Sequence, residues 1–342
     1  MHYPFVPKYA FFEPAALDYP LGRELYDRLE TLGVPIKITG SHNRVTGLAA
    51  KTPNEAYYLA KATIVAGVRR SKDFATCKPS AHYQLPLNTS CPSGCEYCYL
   101  ATTLGKKPYL RVYVNIEEIL AKAAQYINER APEITVFEGA ATSDPLPTEH
   151  LTGLLKKTIE FFGQQRYGRF RFVTKHTYVE PLLSASHHNH TRFRFSINAA
   201  SIINKYEHHT PSLEDRIAAA RKVAQAGYPL GFIIAPIFYF PGWEKEYDDL
   251  LRSLSSQVPQ DDQDDLRFEL ITHRYTKRAK ANILSIFPAT TLPMLEEERQ
   301  FKFGQFGYGK YLYPPEIRQE LKEYMERKIH SYFPAAHIDY FV

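Results

Sequence analysis

Apolar positions along this chain follow two spacings. Short apolar runs alternate with stripes in which apolar residues recur every three or four positions, and that alternation predicts strands and helices in turn. An extended stretch at 83–87 opens the series and leads into a cysteine-rich loop. A helix is predicted at about 116–128, with Asn115 as N-cap and Glu118 three residues on. Its apolar residues Ile116, Ile119, Leu120, Ala123 and Ile127 share one face. A strand at 134–137 and a Leu-rich helix at about 149–162, ended by Gly163, come next. The pattern continues with a strand at 170–174, a helical stretch near 179–184 and a strand at 192–197. A further helix starts at Ser212, has Asp215 at N3 and stops at Gly227, which supplies the left-handed cap. A strand at 231–235, a helix at about 244–254 and a strand at 266–271 complete the series.

About six such units joined by right-handed crossovers imply a parallel sheet covered by helices. The fold class is therefore α/β, with a partial (β/α)6 barrel first and an open doubly wound sheet second. No G-x-G-x-x-G follows the first strand, which weakens a dinucleotide-binding version. The expected organisation is an N-terminal helical and irregular extension over 1–80, the barrel over 81–272 and a C-terminal segment over 273–342. In the extension, helices are expected at about 23–32 and 54–66. The acidic stretch 260–265 reads as a solvated loop. The last segment combines the basic run 274–280, a β-hairpin at 303–313 and an amphipathic helix at about 315–330.

Composition narrows the class. With 44% hydrophobic and 14% aromatic residues in 342, bulk disorder is excluded. No apolar run reaches the ~18 residues of a membrane helix, and the N-terminus lacks a basic flank followed by an apolar stretch. The expectation is a soluble, cytoplasmic protein with no membrane partner. A net charge of +5 and a pI near 8.8 fit a polyanion held by a local patch, and equally fit no such partner.

The cysteines add chemistry. Of four, Cys91, Cys95 and Cys98 fall within eight residues, around a Pro-Ser-Gly insert that lets the backbone fold back. Such crowding suits a soft metal or an iron–sulfur cluster better than disulfides. Structural zinc would need a fourth ligand, Cys77 or one of 13 histidines. A four-iron cluster held by three cysteines instead leaves one iron open to a small molecule, and the C-x3-C-x2-C spacing favours that reading. Barrel chemistry gathers at the carboxyl ends of strands, which points to 138–144, Thr174-Lys175-His176, Ser196, Asn198 and Ala235-Pro236. A lysine with hydroxyls there could hold a carboxylate and a ribose, although Lys175 also fits a plain surface lysine.

The stretch Asn88-Thr89-Ser90-Cys91-Pro92 through Glu96-Tyr97-Cys98-Tyr99-Leu100, together with Thr142-Ser143-Asp144-Pro145, resembles the spore photoproduct lyases of the radical S-adenosylmethionine superfamily. The triplet is specific to the superfamily, and the tyrosines and the Thr-Ser-Asp segment point to the lyases. The resemblance implies repair of the ultraviolet thymine–thymine adduct (5-thyminyl-5,6-dihydrothymine) in endospore DNA. It implies a [4Fe–4S] cluster on Cys91, Cys95 and Cys98, and S-adenosyl-L-methionine in a site lined by Ser143, Lys175, Ser196, Asn198 and the backbone of Ala235. The 5′-deoxyadenosyl radical would take hydrogen from C6 of the lesion, and breakage of the methylene bridge would leave a thymine allylic radical. A low-potential electron donor such as a flavodoxin or ferredoxin, a monomeric state and location in the spore core or germinating cell are also implied.

One position departs from the family. Where the lyases carry a cysteine that returns a hydrogen atom to the product radical, this chain has Ala141. A methyl group cannot donate as a thiol does, so the chain reads as an impaired variant, and as an engineered knock-out more readily than a natural one. Tyr97 and Tyr99 would relay hydrogen atoms back toward the cofactor, or simply pack beside it. A base adduct must leave the duplex to meet a buried radical. Arg274 and Lys277 are the candidates for phosphates, and Tyr308 with Lys310 for the opening. His187, His188, His190, His208 and His209 read as surface residues, and Cys77 as a buried or idle thiol. The alternatives are a radical enzyme with another substrate and a zinc-stabilised nucleic-acid-binding protein.

Overall fold

The computed structural model describes residues 5–71, 73–98, 100, 104–105, 107–258, 265–303 and 309–342. The architecture is mixed α/β, and the chain divides into two compact units: Met1–Pro92 with Lys106–Phe193, and Ser93–Gly105 with Arg194–Val342.

The first unit holds a five-stranded sheet in the order Ile36–Ile38, Tyr9–Phe12, Thr63–Gly67, Leu110–Tyr113, Asn88–Thr89. Its first four strands are parallel, and Asn88–Thr89 runs antiparallel to Leu110–Tyr113. A second ladder pairs Thr76–Cys77 antiparallel with Ala81–Gln84. Ala81–Gln84 lies parallel to Thr135–Glu138, which lies parallel to Gly168–Thr174. The N-terminal strands correct the helical and irregular reading of 1–80. The apolar run expected to be helical over 54–66 is helix only over Pro53–Lys61, with Thr52 Oγ1 accepting from Glu55 N at 3.1 Å. Thr63, Ile64 and Val65 then bury completely as a strand, because β-branched side chains pack well on a pleated sheet.

Two further expectations change. The helix expected over 149–162 is broken at Gly153 (φ 62°) into Glu149–Thr152 and Leu154–Gly163. Asn115 does not cap its helix, Ile116–Arg130; its amide donates to Arg69 O at 3.0 Å and Glu118 Oε2 at 3.0 Å. The apolar face of that helix is buried as expected. The core is a run of phenylalanines, Phe137–Phe162–Phe170–Phe172–Phe193, with successive ring centroids 5.3, 5.4, 5.7 and 4.5 Å apart. Removing any one of these rings would cost about 3–5 kcal/mol.

In the second unit Leu230–Ile237, Arg267–Thr272 and His337–Phe341 form parallel neighbours. The last strand is absent from the sequence reading, which ends the series one strand earlier. Helix Leu213–Gln225 starts as expected, with Ser212 Oγ accepting from Asp215 N at 3.1 Å, and Gly227 follows it at φ 80°. The hairpin pairs Gln300–Phe303 with Gly309–Leu312, and helix Pro315–Tyr332 buries Leu321, Met325 and Ile329. Most of the acidic stretch, 260–264, lies outside the described residues, as do Tyr99 and Tyr308. Among the described residues no helix is long and apolar enough to cross a membrane.

Candidate functional site

In the first unit, Ser90 ties together two segments far apart in sequence. It sits at φ 68° just before Cys91 and bridges in parallel to Ser143. Ser90 N donates to Thr142 O at 2.8 Å, Asp144 N donates to Ser90 O at 3.1 Å, and Ser90 Oγ donates to Pro108 O at 2.7 Å. Cys91 is therefore delivered to the carboxyl end of strand Thr135–Glu138. Asp144, buried there, accepts from Thr174 Oγ1 at 3.0 Å and Lys175 N at 2.9 Å. Burial raises its carboxyl to about 6 despite those hydrogen bonds. Ser143 and Lys175 thus flank one carboxylate at adjacent strand ends.

Lys61 was not anticipated. It is 2% exposed, and its Nζ lies 3.8 Å from Cys91 Sγ. A lysine ending a helix carries no sequence signal for this; only the following strand, which buries the helix end, brings the cation to the sulfur.

In the second unit, Gly94–Cys95 pairs antiparallel with Glu207–His208, which buries Cys95. Cys98 N closes a turn onto Cys95 O at 3.2 Å. Glu96 accepts from His208 Nε2 at 2.7 Å and from the Thr290 hydroxyl. His208, read as a surface residue, therefore clamps the cysteine loop. Tyr97 donates its phenol to Glu207, whose other oxygen accepts from Arg216 Nη2 at 2.6 Å. Burial, with the Glu207 charge, pushes the Tyr97 phenol well above its usual value. Arg216 is fully buried and also donates to Ser196 O at 3.0 Å. Asn198 is held within the protein: Nδ2 donates to Pro236 O at 2.8 Å, and Oδ1 accepts from Tyr247 Oη at 3.0 Å and Ala199 N at 2.9 Å. It positions the Ala235-Pro236 segment.

Ala141 lines a cavity of about 230 Å³ in the first unit, with Arg69, Ala75, Gln84, Asn88, Thr89 and Tyr113 among its other walls. In three of these residues a side-chain atom, Arg69 Nε, Asn88 Oδ1 and Thr89 Oγ1, is buried without a hydrogen-bond partner.

The basic run and the hairpin meet at a bridge between Tyr275 and Tyr311, whose rings stack at 5.2 Å. Burial and the nearby Arg274 charge lower the Lys310 ammonium, while Lys277 is exposed. Lys280 is held by Glu296 at 3.2 Å. Phe301 and Phe303, 46% and 74% exposed, extend the aromatic surface of the hairpin.

The donor set fits an iron–sulfur group: all four cysteines are thiols rather than disulfides, and a buried ammonium faces Cys91. Among the described residues no three His, Cys, Asp or Glu are arranged to hold a single metal ion. A cluster asks for something different, one thiolate on each of several irons.

An α/β frame that sets a thiol loop against the polar ends of its strands is that of a radical S-adenosylmethionine enzyme. The family model described as "Spore photoproduct lyase" matches residues 5–342, and the chain belongs to that family. A spore photoproduct lyase from Geobacillus sp. (strain Y412MC61) is 52% identical over 338 residues, 99% of each chain. A spore photoproduct lyase complexed with dinucleoside spore photoproduct superposes with a TM-score of 0.97, at 52% identity, over 99% of this chain and 100% of that one. A solved variant, with one cysteine changed to alanine and one serine to cysteine, has bound AdoMet and dinucleoside spore photoproduct. It matches with the same score at 53% identity, over 99% of this chain and 100% of that one. Membership makes this chain a radical S-adenosylmethionine lyase of DNA repair, which sets aside the zinc-stabilised binder.

Proposed function

We propose that the chain reverses the thymine–thymine spore photoproduct in DNA to two thymines. Cys91, Cys95 and Cys98 would hold a [4Fe–4S] cluster, and Ser143, Lys175, Ser196, Asn198 and the backbone of Ala235 would line the site for S-adenosyl-L-methionine. When bound, these groups supply a 5′-deoxyadenosyl radical able to take hydrogen from C6 of the lesion. The expected partial (β/α)6 barrel, with its 1–80 extension and 273–342 segment, belongs to this reading.

The chain's own residues have distinct tasks. Lys61 offsets negative charge beside Cys91. Asp144 orients the Lys175 backbone, and Asn198 also holds the Pro236 carbonyl. Tyr97, with Tyr99, forms the relay, its phenol anchored on Glu207. Arg274 and Lys277 meet phosphates, Lys310 with Tyr308 serves the opening of the duplex, and the exposed rings of Phe301 and Phe303 offer surfaces on which bases stack. Electrons come from a flavodoxin or ferredoxin, the protein acts as a monomer, and it works in the cytoplasm of the spore or germinating cell.

The observation that carries this reading is the Ser90 bridge, which joins the cysteine loop to the Thr-Ser-Asp segment. Anaerobically reconstituted protein is expected to cleave S-adenosylmethionine reductively, much faster with the dinucleoside lesion than without it, and to convert the lesion to thymidine. Cleavage indifferent to the lesion, with no thymidine formed, favours a radical enzyme on another substrate. For DNA contact, Lys277→Ala is expected to lower the salt slope of binding by about one. With Ala141 where the family carries its hydrogen-donor cysteine, the chain binds cofactor and cleaves the lesion but resolves the thymine radical poorly. Ala141→Cys is expected to restore clean repair, and an unchanged product distribution counts against that role.

A further inference from the structure

Within the first unit, one sheet delivers a cation and a thiol to the same point. Strand Leu110–Tyr113 pairs in parallel with Thr63–Gly67 on one side and antiparallel with Asn88–Thr89 on the other, and both Val65 and Thr89 register with Arg111. Thr63–Gly67 therefore enters the sheet at the end where Asn88–Thr89 leaves it. Lys61, two residues before the first strand, and Cys91, two after the second, emerge there together, with Nζ 3.8 Å from Sγ. Both are held. Ala62 N donates to Tyr58 O at 3.0 Å and Thr63 Oγ1 to Leu59 O at 2.7 Å, closing helix Pro53–Lys61, while the Ser90 hydrogen bonds fix the residue before Cys91. The Lys61 ammonium also lies over the ring of buried Tyr57, 5.2 Å from its centre, a cation–π contact that keeps it in place.

A buried charge is screened far less than an exposed one, and Lys61 is 2% exposed. Reduction adds one unit of negative charge to an iron–sulfur group. The potential of such a group is governed by net charge, by hydrogen bonds to its sulfurs and by exposure to solvent. An ammonium whose N–H reaches the Cys91 sulfur acts on the first two in the same direction, because both favour the electron-rich state.

We propose that Lys61 raises the reduction potential of the cluster, by a hydrogen bond from its ammonium to Cys91 Sγ and by its positive charge beside the incoming electron. This rests on the cluster assignment made above. A donor of the flavodoxin or ferredoxin class is oxidised by one electron, and the cluster is reduced by that one electron. Lys61 keeps its protons, and no covalent bond forms or breaks. The lysine thus sets how strong a reductant the protein requires.

The test is a redox titration of anaerobically reconstituted protein, without S-adenosylmethionine, followed by the EPR signal of the reduced cluster. At a fixed potential, Lys61→Met is expected to lower the ratio of reduced to oxidised cluster about tenfold, a midpoint about 59 mV more negative. Lys61→Gln, polar but uncharged, is expected to shift the same way. Lys61→Arg is expected to stay within about threefold of wild type, since a guanidinium keeps the charge and the donors. A wild-type midpoint in Lys61→Met or Lys61→Gln overturns the proposal. So does an equal fall in Lys61→Arg, because shape rather than charge would then be at work. A neutral variant that folds but takes up no iron overturns it too, since the lysine would then serve cluster loading. One readout needs no substitution: wild type labelled with nitrogen-15 at the lysine Nζ is expected to show a nitrogen coupling to the reduced cluster, and its absence overturns the proposal. Wild type that binds no four-iron cluster would instead sink the cluster assignment itself, a distinct result.

Discussion

Two buried carboxylates of the first unit and two of the second are satisfied by different means. Asp144 and Glu149 rely on neutral donors. Glu149 accepts from Leu155 N at 2.7 Å and Lys156 N at 3.0 Å, at the start of helix Leu154–Gly163. Glu207 and Glu269 instead meet buried arginines: Arg216 at 2.6 Å, and Arg194 at 2.8 and 2.9 Å. Neutral donors satisfy the lone pairs but do not cancel the charge. Burial therefore wins, and Glu149 rises to about 7 as Asp144 rises to about 6. A guanidinium supplies the countercharge, and the cost appears only when one partner is removed. The first arrangement makes the proposed cofactor loop responsive to pH; the second gives Tyr97 a rigid anchor.

The contrast is broken most severely at Arg216. Arg216→Met strands Glu207 in the interior and is expected to cost about 3–5 kcal/mol in urea unfolding, whereas Arg216→Met with Glu207→Leu recovers most of it. A double variant as unstable as the single would show that shape, not charge, decides this region.

Next comes Glu149. Its folded value lies above the ordinary 4.5, so the native state binds more protons than the unfolded chain between about 4.5 and 7. Its stability contribution is complete below the lower value and is lost as pH rises through the upper one, a change of about 3 kcal/mol. Glu149→Gln is expected to flatten that part of the pH profile. A slope that survives would place the titration elsewhere.

Smaller effects sharpen the comparison. Tyr97→Phe removes one donor from Glu207 while the arginine stays, and should cost about 2 kcal/mol with no new pH dependence below pH 8. Thr174→Val deprives Asp144 of one neutral donor. It should cost about 1 kcal/mol and move the Asp144 titration further up from about 6, as followed by carboxyl NMR shifts.

Local chemistry was legible in the chain itself. The Cys91, Cys95 and Cys98 spacing, the Ser212 cap, the Gly227 stop and the buried stripe from Ile116 to Ile127 are carried by neighbours in sequence. So are the turns and periodicities that locate most strands and helices. The strand Thr63–Gly67 misled because a short apolar run has no intrinsic period, and the sheet around it made the choice. The break at Gly153 shows the opposite limit: a glycine tolerated in many helices stops this one.

What sequence alone determined is the inventory: three thiols on one loop, the α/β alternation, and an alanine where a family pattern has cysteine. Tertiary structure decided the partners. Ser90 meets Ser143 across more than fifty positions, Lys61 meets Cys91, and Glu207 meets Tyr97. Each pairing depends on long-range burial, which sets the cost of an unpaired charge or polar atom and which no local spacing encodes.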